Sequence, residues 1–167
     1  MDTKDTALDI LKTAILLERQ GKAFYTQAAR NSESKSAKQI FEMMAEEEEE
    51  HIAFLTKQAQ SYVENHTFIH PEAHVEDDGS NIEILTEKVK KEINAAGFEA
   101  AAISAAIDFE NRAIKVYSDR TGQATDPAEK KMYQMLADWE KGHHHLLFRL
   151  NEDLKEEIWN DNNFWPF

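Results

Sequence analysis

Glutamate and histidine stand three residues apart twice in this chain, at Glu48 and His51 and again at Glu140 and His143. Three residues is close to one helical turn, so each pair shares a helix face and offers a carboxylate and an imidazole to one ligand. Two more glutamates fall into the same register. Glu18 and Glu110 are 92 residues apart, as are Glu48 and Glu140, His51 and His143, and Tyr25 and Tyr117. Softer matches keep the offset: Ala14 with Ala106, Phe41 with Tyr133, Met44 with Leu136. With only four Tyr and seven His in 167 residues, agreement on these types reads as one helical hairpin used twice.

These polar residues interrupt faces that are otherwise apolar. Glu48 lies between Met44 and Leu55, and Glu140 between Leu136 and Leu147. A lone buried carboxylate is costly unless it is paired or bound to a cation. Four carboxylates and two imidazoles at one level of a bundle therefore point to a metal centre with ligands Glu18, Glu48, His51, Glu110, Glu140 and His143. Glu18 and Glu110 are expected to supply bridging or capping oxygens. One Glu from each of two helices plus two Glu-x-x-His pairs is the ligand set of di-iron and di-manganese carboxylate bundles. Mixed oxygen and nitrogen donors suit Fe, Mn or Zn, and spacing does not choose among them.

Other residues near this pattern carry weaker signals. Within Glu46 to Glu50 only Glu48 continues the inner stripe, so the other four read as a charged outer face. Tyr25 and Tyr117 lie two turns beyond Glu18 and Glu110 on the same faces. Either their hydroxyls bond ligand carboxylates, or they are core residues with satisfied hydroxyls. His144 and His145 must point away from His143. His66, His70 and His74 recur every four residues, but Pro71 interrupts them, and a solvated segment is expected. Trp159, Phe164, Trp165 and Phe167 are expected to dock on the bundle or on a second subunit, since exposed they would form a sticky patch.

The elements that position the six ligands can be read from helical periodicity. A first helix runs roughly over 3–30, with inner face Ala7, Leu11, Ala14, Glu18, Gly21, Tyr25 and Ala28. A second covers about 34–62, with Phe41, Met44, Glu48, His51 and Leu55 inward. The polar stretch 63–80, containing Pro71 and Asp77-Asp78-Gly79, reads as a long crossover. A short helix follows over about 81–95, and Gly97 marks a break. The third main helix runs to about Thr121 (Ile103, Ala106, Glu110, Ala113, Tyr117), and the fourth over about 127–159 (Tyr133, Leu136, Glu140, His143, Leu147, Leu150, Leu154). Short turn, long crossover, short turn is the connectivity of a ferritin-like four-helix bundle. The fold class is all-α, with one domain over 1–159, repeat halves at about 5–62 and 97–154, and an aromatic tail at 160–167.

Composition narrows the chemistry. Thirty-two acidic against 19 basic residues give a formal charge of −13, which disfavours nucleic acid or an anionic membrane as partner. With no cysteine, thiolate metal sites, disulfides and Cys nucleophiles are excluded. No signal-peptide or membrane-span pattern is read, and a cytoplasmic protein is expected.

Over roughly residues 5–155 the chain resembles the rubrerythrin and ferritin-like superfamily. The segments that carry the resemblance are 17–25, 44–51, 108–117 and 136–143. It implies a non-haem di-iron site (two Fe ions) reacting with peroxide or dioxygen as an oxidoreductase of peroxidase or ferroxidase type, and a homodimer. Iron storage or buffering in a ferritin-type cage is the alternative, separable by assembly size. Two departures stand out. Full rubrerythrins carry a cysteine-bound rubredoxin iron domain; this chain has no cysteine and implies an external electron donor. Rubrerythrins also tend to carry a glutamate one turn before the third-helix ligand, where this chain has Ile107, so its six ligands resemble the bacterioferritin-type centre more closely.

Overall fold

The computed structural model describes residues 3–72, 80–93 and 97–161. Five helices and no strands occur among them: α1 (Thr3–Asn31), α2 (Lys35–Asn65), α3 (Ser80–Glu92), α4 (Phe98–Gln123) and α5 (Pro127–Asp161). The protein is an all-α ferritin-like bundle. Helix α1 pairs with α2, and α4 with α5, as two hairpins, while α3 packs on α2 and α5. None of the described helices is long and apolar enough to cross a membrane.

Local sequence sets the hairpin turns. Ser34 caps α2, its Oγ accepting from the Ala37 amide at 3.1 Å. Asp126 Oδ1 accepts from the Ala128 and Glu129 amides at 2.8 and 3.0 Å, and Pro127 begins α5 where no amide donor is needed. The α1–α2 turn is also clasped from across the bundle. Glu99 Oε1 accepts from the Glu33 and Ser34 amides at 2.7 and 2.9 Å. The Glu92 carboxylate accepts from both serine hydroxyls, Ser34 at 2.7 Å and Ser36 at 2.9 Å, and from the Ser36 amide at 3.0 Å. Carboxylates at a helix N-terminus are favoured by the unsatisfied amides and the helix dipole.

Helix α2 continues three residues past Tyr62, where periodicity alone ends it, and stops at His66, whose φ of 55° is left-handed. The crossover then folds back on α2. Gln58 donates to Ile69 O and accepts from Ile69 N, both at 2.9 Å, and Tyr62 packs on Phe68. His66 and His70 are exposed here. His74, Asp77-Asp78-Gly79, Phe164, Trp165 and Phe167 lie outside the described residues. Trp159, near the end of α5, is 44% exposed.

Every residue assigned above to an inner face of the four main helices is buried. The apolar ones form two clusters. One contains Tyr25, Phe41, Met44, Ile103 and Leu147; the other contains Leu11, Leu55, Tyr117, Met132 and Leu136. Each fully buried Leu or Phe contributes roughly 1.5–3 kcal/mol. Between the two clusters sits a polar layer of Glu18, Glu48, His51, Glu110, Glu140 and His143, none more than 6% exposed.

Candidate metal centre

Each main helix brings one glutamate to this layer, and α2 and α5 each add a histidine one turn further on. Ligand atoms of Glu18, Glu48, His51 and Glu140 lie within 4.8 Å of one another, and so do those of Glu48, Glu110, Glu140 and His143. Glu48 and Glu140 belong to both groups. Glu18 and Glu110 belong to one each. Of the two roles expected for Glu18 and Glu110, bridging or capping, this grouping fits capping: Glu48 and Glu140 take the shared position, and Glu18 and Glu110 stand at the flanks.

Both imidazoles turn Nδ1 to the centre. His51 Nδ1 is 2.9 Å from Glu140, 3.1 Å from Glu18 and 3.6 Å from Glu48. His143 Nδ1 is 3.4 Å from Glu48 and Glu140 and 3.5 Å from Glu110. The two rings lie 5.7 Å apart with planes inclined by 22°. Closeness is not matched by hydrogen bonding. Both oxygens of Glu48, both of Glu140, Glu110 Oε2 and His143 Nδ1 are buried with no hydrogen-bond partner. Orphaned buried polar atoms are rare and costly, and here they point at one another. A donor set of four carboxylates and two imidazoles facing a common centre fits a pair of cations, which would satisfy these atoms together.

The tyrosines cross between hairpins. Tyr25 of α1 donates to Glu110 Oε1 of α4, and Tyr117 of α4 donates to Glu18 Oε1 of α1. Each phenol thus holds the flanking glutamate of the other half. A seven-residue step advances ~10 Å along a helix, which puts a tyrosine too far from the glutamate of its own helix.

Protons are divided unequally in the cluster. Burial pushes Glu18 well above the usual carboxylate range, with Glu140 adding to it. Burial likewise takes Glu110 up to about 8, against the opposing pull of His143. Burial also acts on Glu48 and Glu140, but the facing imidazoles outweigh it and hold both below the ordinary value. His51 and His143 are depressed by burial yet raised further by the surrounding carboxylates, and end well above the imidazole range. Burial, then the adjacent Glu110 and Glu18 charges, raise the Tyr25 and Tyr117 phenols. In the metal-free protein, protons do the work that cations can do.

The structure adds two features that periodicity missed. Periodicity places Glu47 on the charged outer face, yet it is half-buried and its Oε2 lies 2.5 Å from His143 Nε2. Its position 92 residues before a tryptophan, where the repeat breaks, was the available signal. Gly21 is the second. A Cβ there would meet Phe109 Cε1 at 2.8 Å and Glu48 Cδ at 3.2 Å, so this glycine lets the Phe109 ring and the Glu48 carboxylate close over α1. Ile107 is partly buried against apolar neighbours and adds no donor. His144 lies beside Phe148, with ring centroids 5.9 Å apart, and His145 is exposed.

Comparison with known proteins agrees with this layout. The family model for rubrerythrin matches residues 9–151. A solved structure of a hypothetical protein from Pyrococcus furiosus is similar with a TM-score of 0.63 and 22% identity, over 89% of this chain and 90% of that one; at that identity the likeness is one of fold. No curated protein matches.

Proposed function

The chain belongs to the rubrerythrin family, and from that premise we propose that it is a non-haem di-iron oxidoreductase that reduces peroxide or dioxygen. The supporting observation is the buried polar layer with its orphaned oxygens. In this reading Glu18, Glu48, Glu140 and His51 hold one iron, and Glu48, Glu110, Glu140 and His143 hold the other. Iron bound there supplies Lewis acidity and electrons for the oxidant.

The chain's own residues prepare that chemistry. Glu48 and Glu140 are the shared carboxylates and keep the two positions close. Tyr25 and Tyr117 orient Glu110 and Glu18 by donating to one oxygen of each, leaving the other oxygen for the metal. The apolar clusters above and below the layer exclude bulk water, so each fixed charge acts in a low-dielectric setting. The proposed electron donor lies outside these 167 residues, which hold no cysteine, and a homodimer is the proposed assembly.

The test is anaerobic loading of the metal-free protein with Fe(II), followed by rapid mixing with peroxide or with air-saturated buffer. Uptake of two irons per chain and oxidation far faster than in a variant with all four glutamates replaced by alanine are expected. Equal rates in the two proteins would contradict the enzyme reading.

A further inference from the structure

The 92-residue repeat fails directly behind the two imidazoles. His143 turns Nδ1 to the carboxylates of the layer, and its Nε2 meets Glu47 Oε2 at 2.5 Å. The residue 92 positions after Glu47 is Trp139. Its indole lies flat on His51, with centroids 4.8 Å apart and planes inclined by only 12°. Phe54 closes against the same indole edge-on at 5.4 Å. One imidazole is therefore backed by a carboxylate, and the other is covered by an aromatic face.

The two backings do different things to a ligand. An imidazole that binds a cation through Nδ1 must carry its proton on Nε2. A carboxylate accepting that proton fixes the tautomer, holds the ring plane and leaves Nδ1 a stronger donor. A stacked indole holds the ring plane by packing but offers its face, not a charge. Glu47 keeps 40% of its side chain exposed, so water screens its charge in part. The effect is thus one of degree.

We propose that the two metal positions are inequivalent, and that Glu47 makes the position on His143 the tighter one, filled first by a divalent ion. This inference rests on the di-iron reading above. Glu47 acts as a positioning residue through His143 and does not itself reach the centre.

Calorimetric titration of the metal-free protein with Zn(II), and with Co(II) followed by its visible spectrum, reads the two steps apart. The wild-type chain should bind two ions in two resolved steps. Glu47→Gln should weaken the first step by about 10-fold or more while sparing the second. Glu47→Ala should do the same or more. In the Zn-loaded protein, the His143 Nε2 proton should give a slowly exchanging, downfield NMR signal that is lost in Glu47→Ala. A residue that merely supported the fold would not remove that signal while the circular dichroism and melting temperature stayed unchanged. Trp139→Glu, which places a carboxylate behind His51, should bring the second step toward the first. Two equal steps in the wild-type chain, or no selective change in Glu47→Gln, would overturn the inference and leave the di-metal site standing. Failure of the wild-type chain to bind either ion would overturn the inference and the di-metal reading together.

Discussion

In the α1–α2 hairpin the inner face runs Glu18, Gly21, Tyr25 and then Glu48 and His51; in α4–α5 it runs Glu110, Ala113, Tyr117 and then Glu140 and His143. The halves agree at all six residues that turn a donor to the polar layer and at the two tyrosines that bond its flanking glutamates. They differ one step away. Gly21 answers to Ala113, and Leu17 to Phe109. The bulky ring and the missing Cβ meet, Phe109 lying where a Gly21 side chain would be. Glu47 answers to Trp139, so one imidazole is backed by charge and the other by an aromatic plane. Ligand geometry constrains the donor residues to be alike, because each metal position needs the same oxygens and nitrogen. Packing constrains only the sum of volumes across the interface, so the halves are free to divide that volume unequally.

The largest expected effect separates shared from flanking glutamates. Glu48→Ala or Glu140→Ala should abolish binding at both positions, and metal analysis after dialysis should find close to no iron. Glu18→Ala or Glu110→Ala should retain one ion. Equal losses in all four variants would break the assignment of Glu48 and Glu140 to both positions.

Next come the unlike pairs. Gly21→Ala drives a methyl into Phe109 and should cost about 1–3 kcal/mol by overpacking, measured by denaturant unfolding. The reverse change, Ala113→Gly, should cost only about 1 kcal/mol, from added backbone freedom and the lost methyl. Phe109→Leu combined with Gly21→Ala should recover much of the first loss, because it restores the division of volume seen at Leu17 and Ala113.

Tyr25→Phe and Tyr117→Phe should behave as a matched pair. Each leaves a buried carboxylate oxygen without its donor, at a cost of about 1–3 kcal/mol. Unequal costs would show that the phenol–carboxylate contacts are not equivalent across the repeat.

The smallest effect is a pH dependence that distinguishes metal-free from metal-loaded protein. Glu110 titrates at about 8 in the fold, above its unfolded value, and Glu18 shifts the same way. The folded state then holds more protons than the unfolded state, and stability falls as pH rises through that window. His51 and His143 are raised as well, so the stability they add at low pH is also lost on raising the pH. Glu48 and Glu140, held low, contribute fully throughout. The metal-free melting temperature should therefore drop between about pH 6 and 9, whereas the loaded protein, with protons replaced by cations, should stay nearly level. A flat metal-free curve would contradict the division of protons described above.

Most of the fold was legible because buried residues recur at helical spacing, and a break in apolar character on such a face is itself a signal. That is how Glu48 and Glu140 stand out between Met44 and Leu55 and between Leu136 and Leu147. The tyrosines were visible through the repeat, but not their partners, since Tyr25 meets Glu110 only when α1 and α4 lie side by side. Glu47 was hidden for a related reason. It sits about 100° around the helix from Glu48, so whether it meets solvent or His143 depends on how closely α2 and α5 approach. The spacing of one helix does not carry that distance. Gly21 looked like an ordinary small inner residue until Phe109 was seen against it.

The most direct test of the central claim is anomalous X-ray scattering from crystals of the iron-loaded protein at the iron absorption edge. Two peaks in the polar layer, one beside His51 and Glu18 and one beside His143 and Glu110, with Glu48 and Glu140 touching both, are the expected result. A layer without peaks, or iron held instead by exposed histidines such as His66 and His70, would contradict it.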